Sequence, residues 1–359
     1  MNALRAVYLR VHLFFVLARP PLVILLGTFA ALGVAHAGRA AGYAALAHAL
    51  LVVVGFVAFA VAINDLSDAA VDRINLPGDR SRPLASGLAS TLEMRLVAIV
   101  GAAVSFAASA AIGWACAAIT LAGLLLASAY SLPPFQLSKR GIVAPLILPF
   151  AFVTVPFLAG ILAVRPAVQA TDLWLLAGLY LGFIGRILLK DFRDLGGDAL
   201  LGKRTFLVRR GRVWTCGLSA ILWVVGSATL TAVTAVDAAV VLAYAVLVAA
   251  ALFLLHALAR SSNPHTDEAL VAAIAIVGRG LIVTLLIHYG TAQARTAPVM
   301  AAIVMIVVTA AMLVWAFDIA RHGQATSSFG PDDAGFSATS ARPAGSTDAA
   351  VTARAPHGR

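Results

Sequence analysis

The chain has 359 residues, 61% of them hydrophobic and only 12% charged, with 26 Lys and Arg against 16 Asp and Glu for a net charge of +10. Soluble proteins average roughly 45–50% apolar and about 25% charged residues, so this chain has too little polar surface to face water. That excludes a cytosolic enzyme and a chain disordered over most of its length, and it points to an integral membrane protein. The two cysteines, Cys116 and Cys216, sit in apolar runs and have neither a disulfide framework nor metal-site spacing.

Residues 1–18 read as a short amphipathic arm. Arg5 and Arg10 precede an apolar run, and Ala35-His36-Ala37 imitates a signal-peptidase site. Arg19 interrupts the run, however, and the segment is long for a signal peptide, so a retained first span is expected. A helix needs roughly 20 apolar residues to cross a hydrocarbon core about 30 Å thick. Candidate spans lie near 20–38, 44–63, 94–112, 114–131, 142–163, 172–189, 213–234, 237–258, 269–290 and 298–317. The expected fold is an all-α polytopic transmembrane bundle over residues 19–320. Residues 321–359 are rich in Ala, Ser, Gly, Pro and Thr without periodicity, the composition of a disordered cytoplasmic tail.

With the N-terminus inside, the outer loops hold only Arg39, Arg165 and Arg295, while Arg186 and Arg279 lie within spans and the other 21 of the 26 basic residues fall inside. This positive-inside bias sets the orientation and absorbs most of the +10, so the charge does not call for nucleic acid. The Ala-, Gly- and Arg-rich usage suggests a high-GC bacterium, hence a plasma membrane with the charged face towards the cytoplasm.

Six of the 16 acids fall in two short groups, Asn64-Asp65-Leu66-Ser67-Asp68-Ala69-Ala70-Val71-Asp72 and Lys190-Asp191-Phe192-Arg193-Asp194-Leu195-Gly196-Gly197-Asp198. Both read D-x-x-D-x-x-x-D, and on a helix those offsets share one face. Three like charges on one face repel one another, so a hard divalent cation with oxygen ligands is the natural partner. Asp65 and Asp191 are 126 residues apart. One group closes the second span and the other closes the sixth, so both emerge on the same side. The pattern predicts two four-helix pseudo-repeats in parallel orientation, with the clusters facing each other across a central cavity.

Basic residues follow both groups: Arg73, Arg80 and Arg82 after the first, Lys203 and Arg204 after the second. Carboxylates that hold a metal, with Arg and Lys to take the remaining phosphate charge, suit a magnesium-bound diphosphate. The spans beneath provide room for a lipid tail. The residues by themselves therefore propose an enzyme acting on a diphosphate-headed lipid.

Asn64-Asp65-x-x-Asp68-x-x-x-Asp72-Arg73-Ile74-Asn75, followed by Arg82-Pro83-Leu84-Ala85-Ser86-Gly87, resembles the first signature of the UbiA-type intramembrane prenyltransferases. Arg186-x-x-x-Lys190-Asp191-x-x-Asp194-x-x-Gly197-Asp198 resembles their second signature. Tyr130-Ser131-Leu132-Pro133-Pro134 with Lys139-Arg140-Gly141, and Arg19-Pro20, are similar to further family segments. The resemblance covers about residues 15–290. It implies a helical bundle, usually of nine spans, and Mg2+-dependent transfer of an isoprenyl group from a polyprenyl diphosphate to a small acceptor. A tenth span and the long tail depart from the family pattern.

The resemblance also implies roles. Asn64, Asp65, Asp68 and Asp72 would hold one magnesium ion, and Asp191, Asp194 and Asp198 a second, with Asp65, Asp68, Asp191 and Asp194 catalytic. Arg73, Arg82, Lys139, Arg140 and Lys190 would hold the diphosphate. Arg19, Tyr130 and Arg186 would line the pocket near the reacting carbon or the acceptor. The expected acceptor is aromatic, such as 4-hydroxybenzoate or a quinone precursor. The Arg186-x-x-x-Lys190-Asp191 stretch leans towards the branch containing geranylgeranylglyceryl phosphate and aromatic prenyltransferases.

Other signals are weaker. Gly197 to Lys203 resembles the opening of a P-loop, but Arg204 stands where Ser or Thr is required and no strand precedes it. Arg279, between Gly278 and Gly280 inside a span, is costly in lipid and is a site candidate. Gly178 and Gly182 form a G-x-x-x-G. Tyr180 and Phe183 are candidates for a prenyl channel, and His265, Asp267 and Glu268 read as a solvated connection. A terpene cyclase on the same scaffold, or prenyl transfer to a glyceryl or sugar phosphate, is the alternative. A CDP-alcohol phosphotransferase lacks its D-G-x-x-A-R opening here, and a transporter would cluster its ionisable residues nearer the midplane.

Overall fold

The computed structural model describes residues 19–38, 43–75, 82–192, 205–234, 238–294 and 297–323. Ten helices in it are long and apolar enough to cross a membrane. They are α1 (Pro20–Ala37), α2 (Tyr43–Asn75), α3 (Thr91–Ile112), α4 (Trp114–Ser131), α5 (Val143–Leu162), α6 (Ala170–Ile187), α7 (Phe206–Val233), α8 (Ala238–Arg260), α9 (Pro264–Ala294) and α10 (Pro298–His322). All ten spans expected from hydropathy are present, and among the described residues there is no strand. The protein is an integral membrane protein. The 1–18 arm and the tail beyond Gly323 lie outside the described residues, while α10 itself runs to His322.

Local sequence explains the helix ends. Ser90 caps α3 and exchanges hydrogen bonds with Glu93, a reciprocal capping box that satisfies two otherwise orphaned N–H groups. Pro20 and Pro298 open α1 and α10 at first-turn positions, where the missing N–H costs nothing. Helix α5 is broken by a π-helical turn at Phe150–Thr154, between Pro149 and Pro156. Neither proline donates to the helical ladder, and the wider turn accommodates the loss.

The most extensive helix packing is α2 on α3 and α6 on α7, pairs four spans apart. Each uses close glycines. A Cβ on Gly55 would lie 2.6 Å from the Ser105 nitrogen, and one on Gly226 would lie 2.8 Å from the Gly178 oxygen. Each pair also has one buried hydrogen bond across it. Ser105 Oγ donates to the Val52 carbonyl at 2.9 Å, and Ser219 Oγ to the Gly185 carbonyl at 2.8 Å. In lipid such packing and bonding replace the hydrophobic drive between helices, at about 0.6 kcal/mol per hydrogen bond. The repeated pairing is the structural form of the two pseudo-repeats. Helix α1 packs on α5 and α9, which closes the ring, and α10 lies outside against α9 and α8. Outward faces carry Ile99, Trp114, Trp174, Trp214 and Val299, all exposed and suited to lipid.

A buried charge cluster ties the end of the bundle opposite the aspartate motifs. Asp172 is fully buried and accepts from His36 Nε2 at 2.8 Å, Arg165 Nη2 at 2.6 Å and the Gln169 backbone N–H at 2.7 Å. His36 in turn meets the Tyr289 ring edge-on at 4.9 Å. These contacts join α1, α6 and α9.

Two sequence expectations change. Asp267 is not part of a solvated connection: it is 4% exposed and paired bidentately with Arg212 at 2.5 and 2.9 Å. The kink at Gly211, whose φ of 81° is left-handed, turns the chain just before Arg212. The second aspartate group does not continue helix α6. The helix ends at Ile187, and Leu189 N–H and Lys190 N–H bond to carbonyls three residues back, in a tightened turn. Residues four apart share a face on an α-helix but not across such a turn, so Arg186 and Lys190 diverge.

Candidate active site

A cavity of about 240 Å³ opens among α1, α2, α4, α5 and α6, lined by Arg19, Asn64, Arg82, Tyr130 and Lys190 above Leu22, Val61, Ile147 and Phe152. Helix α2 positions the first aspartate group. Its 33 residues reach about 50 Å, well beyond a hydrocarbon core, and carry Asp65, Asp68 and Asp72 in one unbroken helix.

Asp65 is the centre of the described charge network. It is 2% exposed, and its Oδ1 accepts from Arg19 Nη2 at 2.8 Å and Arg82 Nη1 at 3.2 Å. Its Oδ2 is buried and has no hydrogen-bond partner among the described residues. Arg82 Nε lies 3.5 Å from Asp72 Oδ2, so one guanidinium spans both carboxylates. Arg19 holds a left-handed backbone, φ 41°, a conformation that costs a non-glycine residue about 1–2 kcal/mol. Arg82 is set by a compact turn: the Ser86 N–H and Oγ both donate to the Arg82 carbonyl at 2.9 Å, and Gly87 leaves at φ 76°.

The second group contributes from the facing side. Lys190 Nζ donates to Tyr130 Oη at 3.2 Å and lies 5.9 Å from the centre of that ring. Asp191 and Phe192 are buried. Asp194 and Asp198 lie outside the described residues. Arg19, Asn64, Arg82, Tyr130 and Lys190 are thus brought together. Arg73 is exposed at the end of α2. Lys139 and Arg140 are exposed and bond within their own loop, to Gln136 Oε1 and the Phe135 carbonyl.

Arg186 lines a second, small cavity of about 50 Å³ between α1, α6, α7 and α9, bordered also by Arg279, Gly178, Gly182, Phe183 and Trp223. Edge-on aromatic contacts separate the two cavities: Phe183 meets Phe152 at 6.2 Å and Phe29 at 6.1 Å. Tyr180 lines neither cavity, and its hydroxyl donates to the Leu146 carbonyl at 2.5 Å. Sequence reasoning named Phe183 but not Phe29, Phe152 or Trp223, because aromatic residues in apolar runs carry no signature of cavity or lipid.

Among the described residues no three acidic, histidine or cysteine side chains gather into a chelating group. The donor chemistry nevertheless fits a hard divalent cation. Asp65 and Asp68 offer carboxylate oxygens and Asn64 an amide oxygen, and the buried Asp65 Oδ2 has no hydrogen-bond partner among the described residues.

Residues 24–277 match the model of the UbiA prenyltransferase family. The chain belongs to that family. Among curated UbiA-type relatives, it is 30% identical over 150 residues to a digeranylgeranylglyceryl phosphate synthase of Methanopyrus kandleri, covering 42% of this chain and 52% of that one. It is 28% identical over 152 residues to the bacteriochlorophyll synthase 34 kDa chain of Chloroflexus aurantiacus, covering 42% and 47%. The matched region thus spans about half the length of these relatives. The fold is similar to that of an Archaeoglobus fulgidus UbiA homologue solved with DMAPP and Mg2+, at TM-score 0.54 and 18% identity, covering 86% of this chain and 98% of that one.

Proposed function

We propose that this UbiA family member transfers an isoprenyl group from a polyprenyl diphosphate to a small acceptor, releasing diphosphate. One observation carries the reading. The two aspartate groups, distant in sequence, deliver Asn64 and Lys190 to a single cavity whose mouth holds Arg19 and Arg82 and whose floor is apolar.

Each residue has a part in this chemistry. Arg19, Arg82 and Lys190 receive the diphosphate, and the apolar floor takes the first isoprene units. The allylic C1–O bond breaks and its electron pair leaves with the diphosphate, where the cationic side chains stabilise the developing charge. The acceptor forms the new bond to C1, and its proton passes to a carboxylate of the second group, of which Asp191 is the described member. The surrounding helices exclude water that would otherwise trap the prenyl cation. Asn64, Asp65, Asp68 and Asp72, with Asp191, Asp194 and Asp198, would hold magnesium, which when bound neutralises diphosphate oxygens. The positive-inside bias supports a site facing the cytoplasm of a bacterial plasma membrane.

The relatives' names divide between a glyceryl phosphate lipid synthase and a bacteriochlorophyll synthase, so family membership leaves the acceptor open. The test is diphosphate release by the full chain in lipid nanodiscs, given geranylgeranyl diphosphate and Mg2+ with and without acceptors. Acceptor-dependent release, abolished by EDTA, is expected. Release with a terpene product and no acceptor would establish the cyclase instead, and no release under any condition would overturn both.

A further inference from the structure

Helix α7 is built in two pieces. Thr205 caps the first, its Oγ1 accepting from the Val208 N–H at 3.4 Å, and the kink at Gly211 ends it after Arg210. Gly211 has φ 81° and ψ 175°, a region that glycine occupies freely and other residues avoid. A Cβ there would meet nothing within 4 Å, so the backbone angle and not a close contact calls for glycine. The second piece starts at Arg212 and is fastened by buried Thr215, whose Oγ1 donates to the Gly211 carbonyl at 2.8 Å.

The kink gathers exposed groups of two kinds. Arg209 and Arg210 precede it and are exposed, while Val213 and Trp214 follow it, each 71% exposed. Helix α8 ends at the same corner. Arg212 Nη2 bonds the Leu258 carbonyl, two residues before Arg260, which is also exposed. Among the described residues, the side chains of Arg209, Arg210 and Arg260 make no hydrogen bond or ion pair. The other exposed titratable groups at the end of α8 and the start of α9 are His256, His265 and Glu268, and buried Asp267 is neutralised by Arg212. The corner is therefore net positive.

Membrane orientation accounts for basic residues at this end of the bundle. It does not account for the apolar half of the corner. Tryptophan favours the border between lipid and water, and Trp214 stands within a few residues of three unengaged guanidinium groups. A soluble anion would satisfy the arginines and leave Val213 and Trp214 bare. An uncharged lipid would do the reverse.

We propose that this corner of α7 and α8 is a binding surface for anionic phospholipid, whose phosphate is held by Arg209, Arg210 and Arg260 and whose acyl chains lie on Val213 and Trp214, and that lipid bound there steadies the Gly211 kink. Phosphate accepts paired, charge-assisted hydrogen bonds from guanidinium groups. The same kink sets Arg212, which grips Asp267 and lies over Phe192, the neighbour of Asp191. The lipid surface thus borders the second aspartate group without entering the cavity. The binding is independent of the prenyl-transfer reading, and only its effect on turnover rests on that reading.

The test uses the full chain in nanodiscs and follows Trp214 fluorescence, assigned by its loss in Trp214→Phe. Brominated phosphatidylglycerol and brominated phosphatidylcholine each quench a tryptophan that they touch. Phosphatidylglycerol should associate beside Trp214 at least about fivefold more strongly, the contribution of one arginine at an anionic surface. The combined variant Arg209→Gln, Arg210→Gln, Arg260→Gln should bring the two lipids to parity, while the matching three-lysine variant keeps part of the preference. Arg95→Gln, which removes an exposed arginine at the start of α3, should leave the preference intact. Equal quenching by the two lipids in the wild type, as a corner covered by an acidic protein segment would give, overturns the inference. So does a preference that survives the three-glutamine variant, or one lost equally in Arg95→Gln. In turnover, phosphatidylglycerol should lower the Mg2+ concentration for half-maximal diphosphate release by at least about twofold in the wild type and not in the three-glutamine variant. An identical Mg2+ response in both lipids overturns the link to the kink. Lipid preference without diphosphate release in either lipid would instead count against the prenyl-transfer reading alone.

Discussion

The guanidinium of Arg212 lies 4.9 Å from the centre of the Phe192 ring while both of its terminal nitrogens hold buried Asp267 and one also bonds the Leu258 carbonyl at 2.9 Å. Phe192 follows Asp191 directly. A single side chain of α7 therefore links α8, α9 and the start of the second aspartate group, next to Asp191.

This relationship predicts a positioning role for Arg212. Arg212→Lys keeps the charge but loses the planar fork and the stacking that fit Asp267 and Phe192 together. The variant should fold, and the Mg2+ concentration giving half-maximal diphosphate release should rise several-fold while the acceptor KM is steady. Arg212→Met should be worse, because it strands a buried carboxylate at a cost of about 3–5 kcal/mol, and a thermal melt would register the loss. An Arg212→Lys enzyme with the wild-type Mg2+ response would show that the contact only packs the bundle.

Asp65 is the next test. Its Oδ1 serves two arginines and its Oδ2 serves none among the described residues, so Asp65→Asn removes a charge with almost no change in shape. Diphosphate release should fall at least about 100-fold, the scale of losing a group that stabilises charge in the transition state. Arg82→Gln should instead raise the KM for prenyl diphosphate by about tenfold, since Arg82 is among the basic residues that line the cavity. Measuring kcat and KM separately for the two variants distinguishes these parts.

How much of this was legible beforehand follows from the kind of signal each residue leaves. Ten spans were readable because about 20 consecutive apolar residues have one physical explanation in a membrane protein. The group around Asp65 stood out because acids are scarce and their spacing repeats, whereas the contact of Asp65 with Arg82, 17 residues on, leaves no mark in the sequence. The route of the chain after Ile187 was not, because a turn closed by bonds three residues back has no distinctive composition, and the divergence of Arg186 from Lys190 depends on it. Asp267 looked solvated because its neighbours are polar, and its partner Arg212 is 55 residues away. Lys139 and Arg140 resemble phosphate ligands by motif, and their bonds within their own loop could not be read from it.

At the opposite end of the bundle, Asp172 holds both His36 and Arg165. Asp172→Ala removes the acceptor shared by His36 and the partly buried Arg165, which keeps its bond to the Ala167 carbonyl, and should destabilise the protein by about 1–3 kcal/mol. The site is far from both aspartate groups along the helices, so the KM values for both substrates should be unchanged in whatever fraction stays folded at low temperature. A melting temperature equal to wild type would mean that water or lipid replaces the lost contacts.

The G-x-x-x-G of α6 offers a contrast inside one motif. A Cβ on Gly178 would lie 2.6 Å from Leu230 Cγ and 2.9 Å from the Gly226 carbonyl oxygen, and the second of these is backbone that cannot swing aside. A Cβ on Gly182, four residues on, would meet nothing within 4 Å. Gly178→Ala should therefore push α6 away from α7 and cost about 1–3 kcal/mol, the usual penalty of overpacking. Gly182→Ala should leave the melting temperature unchanged or raise it slightly, since alanine favours a helix over glycine by about 1 kcal/mol. Parallel thermal melts of the two variants in the same detergent decide the matter, and equal losses in both would show that the motif packs as a whole rather than at Gly178.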